Sequence, residues 1–500
     1  MRGGTVCAPF SFEVFLGASD DGILHLLTHY TGYKDYDDFL VGGEDQVGWQ
    51  LREAASRDPL RFLHLLPNYW ANISERFCDD IMDGVSNYLA HRYGNLQANG
   101  TWIPIDEPDA TTLASLILDE LERHPSHWQL NRSASNALQA CAHVILDTQT
   151  AARLVFLAIG FRYLPDESTI QEDSVDLITT GINMIKGHTV EALMILANKL
   201  QESSIPFPEL LSPTLCNFAR DDHPAIRVLI LLRLPYLQRI NPKLGWDLFH
   251  LAMQDATGLW QTAEPCLYYA YHNHFELVTP LLERLRREGS AQDMETWARI
   301  SALAAMTKHI NFAAWLEDLK VLDITDAWQG AASVWTHPEN IRQHREQCLI
   351  GIEAGLNASS FHATAVANQI EHLFRENTPV ISIPTELIQL CFTAFEKDSE
   401  NKPHRLYGFD KWLNASSLRD PDQALCATEI YLNYVSQTKP YMYDHENNLT
   451  QLMTRLFAEA EEREGSDNGA MLQRAVSVQD KLLILGLDSI NAWLKASERQ

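Results

Sequence analysis

Between Gly181 and Leu251 the chain alternates apolar stripes with short polar breaks at helical spacing. In DDHPAIRVLILLRLPYLQRI, residues Ile226, Leu229, Ile230, Leu234 and Leu237 recur every three or four positions, which predicts one apolar helix face. Leu231 and Leu232 add a second face, so this helix needs neighbours on both sides. Asp222 or His223 can cap it, with Pro224 in the first turn, where a missing N–H costs nothing. Asn241-Pro242 repeats that start, and Leu244, Leu248 and Leu251 form the next stripe. Helix pairs of this kind cannot bury their faces alone and require copies on either side. Upstream, in GINMIKGHTVEALMILANKL, Gly187 lies between two apolar stripes. It either ends one helix, with Thr189 capping the next, or permits close helix packing. Asn183 and Lys186 are expected to pair with neighbouring helix ends.

The same pattern extends along the chain. Ser19-Asp20-Asp21 caps a short helix, and Val47–Ser56 forms another. Asp58-Pro59 opens a helix that Pro67 limits, and Ser74–Tyr93 places Phe77, Ile81, Val85, Tyr88 and Leu89 on one face. The Gly- and Pro-containing stretch Gly94–Asp109 is the first candidate boundary. Helical stripes follow at Thr112–Arg123, Ser133–Leu146 and Ala151–Tyr163, then a polar loop at Leu164–Gln171. After the proline-rich hinge Ser203–Pro213, starts near 223, 259 and 292 suggest a loose two-helix repeat of roughly 35 residues. Later helices are expected at Phe312–Leu322, after Thr336-His337-Pro338, and at Ala363–Phe374, Thr385–Phe395, Asp420–Val435, Gln451–Glu464 and Leu482–Lys495. Strand signals are confined to the short, proline-flanked TPVISI. The expectation is an all-α, irregular TPR/HEAT-like helical-repeat solenoid of roughly two dozen helices. Its divisions are a helical connecting segment over 1–100, a central array over 101–335 and a C-terminal array over 336–500.

Composition narrows the classes. A length of 500 residues exceeds one compact core, and 46% apolar content argues against disorder. The 66 acidic against 39 basic residues give a formal charge of −27, which disfavours a general phosphate-binding surface and direct nucleic-acid binding. The eight cysteines are scattered, with no CxxC pair, as expected of reduced core thiols in a cytoplasmic protein. MRGGTVCAPF has no apolar signal region, and runs such as Leu154–Gly160 are too short for a membrane span.

Catalytic motifs are not evident. The chain has no GxxxxGK[ST] phosphate loop, no GxGxxG after a strand, no GxSxG elbow and no HExxH pair. No catalytic, cofactor-binding or metal-binding residue is assigned, and the chain itself is not expected to be an enzyme or to hold a cofactor. In YYAYHNH, residues Tyr268, Tyr269, Tyr271, His272 and His274 bring aromatics beside a His-x-His pair. Metal binding would need a further carboxylate such as Glu276; a helix end packed into a turn is the plainest reading. The remaining reading makes these five the candidate partner contacts, since aromatic side chains are enriched at interfaces. His124-Pro125-Ser126-His127 reads as a helix C-terminus and turn. Asp35, Asp37, Asp38, Glu44 and Asp45 do not match an EF-hand and read as a solvated loop.

INMIKGHTVEA followed by ALMILANKL resembles an Asn-x-x-[Arg/Lys]-Gly element and Ala/Leu helix in the C-terminal helical-repeat sensor region of bacterial antiviral STAND NTPases (Avs type). APFSFEVFLGASDDGILHLLTHY, VGGEDQVGWQLREAASRDPLRFLHLLP, FCDDIMDGVSNYL, DDHPAIRVLILLRLPYL, WTHPENI and CFTAFEKDS resemble further landmarks in the same order, over most of residues 8–435. The chain departs at Asp20-Asp21-Gly22-Ile23, where tryptophan is expected, and at Lys186, where arginine is commoner. The resemblance implies a sensor that enfolds a phage protein, the terminase large subunit or the portal. In such proteins binding drives ATP-dependent oligomerisation and switches on an effector, often a nuclease, with ATP and Mg held in domains outside this stretch. By this resemblance the chain is expected to be a fragment or a stand-alone sensor, and MRGGTVC would suit a cut inside a connecting loop. The alternative is a generic α-solenoid scaffold or adaptor for a host partner.

Overall fold

The computed structural model describes residues 6–33, 41–94, 96, 100–164, 176–255, 258–375, 380–397, 406–438, 444–487 and 489. The fold is all-α, with 27 α-helices and no strand among the described residues. The chain divides into two compact units, residues 1–266 and 267–500.

The first unit opens with α1 (Phe12–Gly17), α2 (Asp20–Tyr30), α3 (Glu44–Arg57), α4 (Pro59–Tyr69) and α5 (Glu75–Tyr93). Next come α6 (Ala110–Arg123), the single turn α7 (Pro125–Trp128), α8 (Arg132–Ala142), α9 (Thr148–Phe161) and α10 (Leu177–Asn183). It closes with α11 (Ile185–Glu202), α12 (Leu211–Phe218), α13 (Pro224–Ile240) and α14 (Pro242–Ala252), and the division falls within α15 (Trp260–Ala270). Two layers run through this unit. Helices α3, α5, α8, α11 and α13 stack side by side as one layer, while α4, α6, α9, α12 and α14 form the other. Successive helices alternate between layers, as in a helical-repeat array. Short α7 and α10 are the main interruptions, which is why no strict repeat shows in the sequence.

Caps set the helix starts. The Ser19 hydroxyl accepts from Gly22 N (3.2 Å), Asp109 from Thr112 N (2.8 Å), Asn131 from Ser133 N (2.7 Å) and Asp147 from Thr150 N (2.7 Å). His223, not Asp222, caps α13: its Nδ1 accepts from Ala225 N (3.2 Å) while Asp221 holds His223 N (3.0 Å). Asn241 caps α14 through Leu244 N. Both expected apolar faces of α13 are buried except at Leu232, which stays partly exposed.

Several boundaries differ from expectation. Pro67 does not limit α4, which continues to Tyr69; a proline so near the C-terminus removes one backbone bond without breaking the helix. Helix α8 stops at Ala142, and α26 (Asn448–Asp467) runs through Gly465. The closing helix is α27 (Ala470–Ile484), so the expected Leu482–Lys495 helix overlaps only its end, and residues 490–500 lie outside the described residues. So do most of the expected 164–171 loop, Asp35, Asp37 and Asp38, and part of TPVISI.

Gly187 does not end a helix. It lies inside α11, and Thr189 bonds back to Ile185 O (3.1 Å) instead of capping. A Cβ at Gly187 would overlap the carbonyl of Gly181 and meet Leu229 Cδ1 at 3.0 Å, so close packing is its role. Lys186 and Asn183 tie helix ends as expected: Lys186 Nζ pairs with Asp221 (3.4 Å), and Arg132 donates to Asn183 O (2.6 Å).

The second unit contains α16 (Phe275–Glu288), α17 (Asp293–Met306), α18 (Phe312–Leu322), α19 (Thr325–Trp335), α20 (Pro338–Gln343) and α21 (Arg345–Leu356). It continues with α22 (Ser360–Arg375), α23 (Thr385–Lys397), α24 (Phe409–Ser416), α25 (Pro421–Thr438) and the two helices α26 and α27. One layer is α17, α19, α22, α24 and α26; the other includes α21, α23, α25 and α27. Its core is aromatic, with Trp315 and Trp335 ring centres 6.0 Å apart and Trp328 6.3 Å from Trp335. Among the described residues no helix is long and apolar enough to cross a membrane.

Gly187→Ala is expected to lower the unfolding free energy by about 1–3 kcal/mol, because overpacking outweighs the roughly 1 kcal/mol gain in helix propensity. Chemical denaturation measures this; an unchanged or raised midpoint would contradict the packing role.

Candidate functional site

The layer α3–α5–α8–α11–α13 buries apolar residues on its flanks but carries a polar stripe along one face. A groove of about 480 Å³ follows that stripe; its polar lining is Arg52 of α3, Asp83 and Asn87 of α5, Asn136 and Gln139 of α8, His143, His188 of α11 and Arg233 of α13, and Ala90, Leu96, Ala140 and Ile195 add apolar surface between them. Each residue comes from a separate helix turn facing the same way, and the i, i+3 and i, i+4 spacings of Asp83–Asn87 and Asn136–Gln139–His143 produce that alignment.

Hydrogen bonds join the stripe across all five helices. Arg52 Nε donates to Asp80 Oδ1 (2.6 Å), and its Nη2 lies 3.5 Å from Asp83. Asn136 Nδ2 donates to Asp83 Oδ1 (3.4 Å). From the same α8 face, Gln139 Nε2 donates to Glu191 Oε2 (2.9 Å) and Gln139 Oε1 accepts from His188 Nδ1 (3.2 Å). Arg233 Nη2 completes the series on Glu191 Oε1 (2.9 Å). The carboxylates lie below the guanidinium groups: Asp80 and Glu191 side chains are 1% and 12% exposed, Arg52 and Arg233 36% and 40%. The arginines therefore present their free edges to the groove while their charges are balanced from beneath.

Burial decides the ionisation here. It pushes the Asp80 carboxyl up to about 6, against the opposing pull of Arg52 and Arg76. Asp83 is raised for the same reason, again against Arg52. Burial also lowers His143, helped by Lys199 and Arg233, so its imidazole is neutral at pH 7 and both donates and accepts. Among the described residues, the side chains of Asn87 and His143 make no hydrogen bond within the chain.

The sequence-derived candidates fall in the second unit and at its border. Tyr268 and Tyr269 close α15 and are exposed, with ring centres 5.5 Å apart; Tyr271 is half-buried 6.0 Å from Tyr268. Burial, and then Tyr268, raises the Tyr271 phenol. His272 is exposed with its ring 6.1 Å from His309, and His309 stacks on Phe275. His274 lies 3.8 Å from Glu276. The five residues thus share one helix end and turn, with two tyrosines facing outward. No group of three or more metal-ligating side chains occurs among the described residues.

Other chemistry-bearing residues have structural partners. His124 stacks on Trp70 (3.8 Å) and bonds Glu120, while His127 bonds Asp79 (2.9 Å). None of the eight cysteines is in a disulfide, and burial pushes the Cys78 and Cys348 thiols up to about 12, far from a nucleophilic thiolate at neutral pH. A second cavity, about 370 Å³, lies in the second unit beside Trp328 and His362. His362 bridges Asp323 (2.8 Å) and Thr325 (3.0 Å), which fixes the start of α22 to the α18–α19 turn.

Sequence reasoning missed the groove because each of its residues alone reads as an ordinary solvated position. The available signal was a polar stripe recurring on successive helices that are otherwise apolar. No protein-family model, curated protein or solved structure matches the chain.

Asp80 gives the site a pH signature. Its carboxyl is raised from 3.8 to about 6, so its favourable contribution is present below pH 4 and is lost as pH rises through 6. Asp80→Asn is expected to flatten the part of the melting-temperature profile between pH 4 and 6.5, leaving a residual slope from Asp83. An unaltered profile would contradict this assignment.

Proposed function

We propose that the chain is a protein-recognition module, a binder and not itself an enzyme, whose contact surface is the polar groove along α3, α5, α8, α11 and α13. One observation carries the proposal. Five helices present arginine edges, side-chain amides and imidazoles along one groove, with Asp80 and Glu191 withdrawn beneath the arginines and Asp83 at the groove wall. Such a lining, with Ala90, Leu96, Ala140 and Ile195 set between the polar groups, offers a partner surface both directed hydrogen bonds and apolar contact.

The partner assigned is a phage protein, the terminase large subunit or the portal, and the role is that of a cytoplasmic sensor in bacterial antiphage defence. Support comes from the ordered sequence landmarks that resemble the STAND NTPase (Avs type) sensor region, and from an all-helical layered architecture compatible with one. On this reading an ATPase and effector, attached or associated, respond to binding, and homo-oligomerisation proceeds through those domains. A scaffold for a host protein uses the same surface without infection.

Affinity capture with the full chain, from phage-infected and uninfected bacterial cells, separates the two. Terminase or portal protein is expected only after infection and without added ATP, and Arg233→Glu is expected to reduce its retention at least tenfold. Tyr269→Ser tests the aromatic turn in parallel and is expected to leave retention unchanged. No packaging or structural phage protein across a broad phage panel would sink the antiviral reading; one host protein retained equally from both cell states would favour the scaffold.

A further inference from the structure

The groove's chemistry defines what kind of segment it takes. We infer that it binds an extended polypeptide segment by its main chain, an inference that rests on the protein-recognition reading above.

A peptide group needs one acceptor and one donor. A side-chain amide supplies both at once, and of the three along the groove Asn87 is unbonded among the described residues, Asn136 is bonded through Nδ2 to Asp83, and Gln139 is bonded at both ends, to Glu191 and His188. Neutral His143 likewise donates and accepts. Asn87 and His143 have no hydrogen-bond partner among the described residues, so their capacity is open to a ligand. Charge agrees with a main-chain ligand. Arg52 and Arg233 are balanced by Asp80, Asp83 and Glu191, so the groove offers directed N–H groups without a strong net charge, and an anion gains little there.

Spacing agrees too. Packed helices lie about 8–10 Å apart, and an extended chain advances about 3.3 Å per residue, so one helix meets roughly every third residue. Five helices span about 35 Å, enough for roughly ten residues. No strand edge exists among the described residues, so a segment entering here must be held by side chains instead of by sheet extension.

The test uses the full chain and a random 12-residue peptide library displayed on phage. Linear sequences are expected to enrich, and a synthetic selected peptide to bind at least tenfold more weakly to the Asn87→Ala/His143→Ala double variant. Neither residue bonds within the chain, so the double variant is expected to keep its helical circular dichroism and melting temperature. N-methylation of the peptide main chain is expected to weaken binding at positions about three residues apart. Failure of any linear sequence to enrich, equal binding to the double variant, or indifference to N-methylation at every position overturns the inference. If Arg233→Glu still abolishes capture of a folded partner, that result leaves protein recognition standing while main-chain reading fails.

Discussion

Two-sided burial of the α3–α5–α8–α11–α13 layer is the constraint on which the rest depends. Helix α13 buries Ile226, Val228, Leu229, Ile230, Leu231, Leu234 and Leu237. Each fully buried side chain of that size is worth about 1.5–3 kcal/mol, so the helix is stable only with neighbours on its flanks and against the second layer. The ion pairs on the groove face join part-exposed arginines to largely buried carboxylates, whose desolvation offsets much of the attraction. Apolar burial therefore holds the layer together, and the polar ladder sets how the helices line up along it. Gly187 shows how close that fit is, since α11 packs where even a methyl group has no room.

The groove follows from the same constraint. A helix apolar on both flanks has one narrow strip left for polar residues. When helices stack side by side, those strips merge into a continuous line. Asp83 and Asn87, then Asn136, Gln139 and His143, then His188 and Arg233 are that line, contributed by successive helices. Burial raises Asp80 and Asp83 and lowers His143, and the paired carboxylates offset the arginine charges, so directional hydrogen-bonding capacity faces outward. The proposed recognition role therefore rests on hydrogen bonding more than on net charge, in a chain whose overall balance is strongly acidic.

Much of the fold was legible in the sequence, because periodicity and caps are local signals. Asn241-Pro242 and Ser74 mark helix starts that the structure uses, and Phe312–Leu322 matches to the residue. Errors came where tertiary packing overrides a local rule. Pro67 and Gly465 sit inside helices; at Gly187, where the sequence left termination or close packing open, the structure shows close packing. The groove was not legible, since its cross-helix partners lie 28 to 53 positions apart and pair only in three dimensions, as Asn136 with Asp83 and Gln139 with Glu191 do. The aromatic turn at 268–274 is legible for the opposite reason: it is contiguous in sequence, and Tyr268, Tyr269, His272 and His274 are exposed.

Site-specific photo-crosslinking tests the central assignment most directly. A benzophenone side chain placed at position 87 probes the groove, and one at the exposed position of Phe156, on the other layer, serves as the comparison. With the captured partner bound, crosslinks are expected from position 87 and not from position 156. Crosslinking from 156 alone, or equally from both, would contradict the groove as the recognition surface.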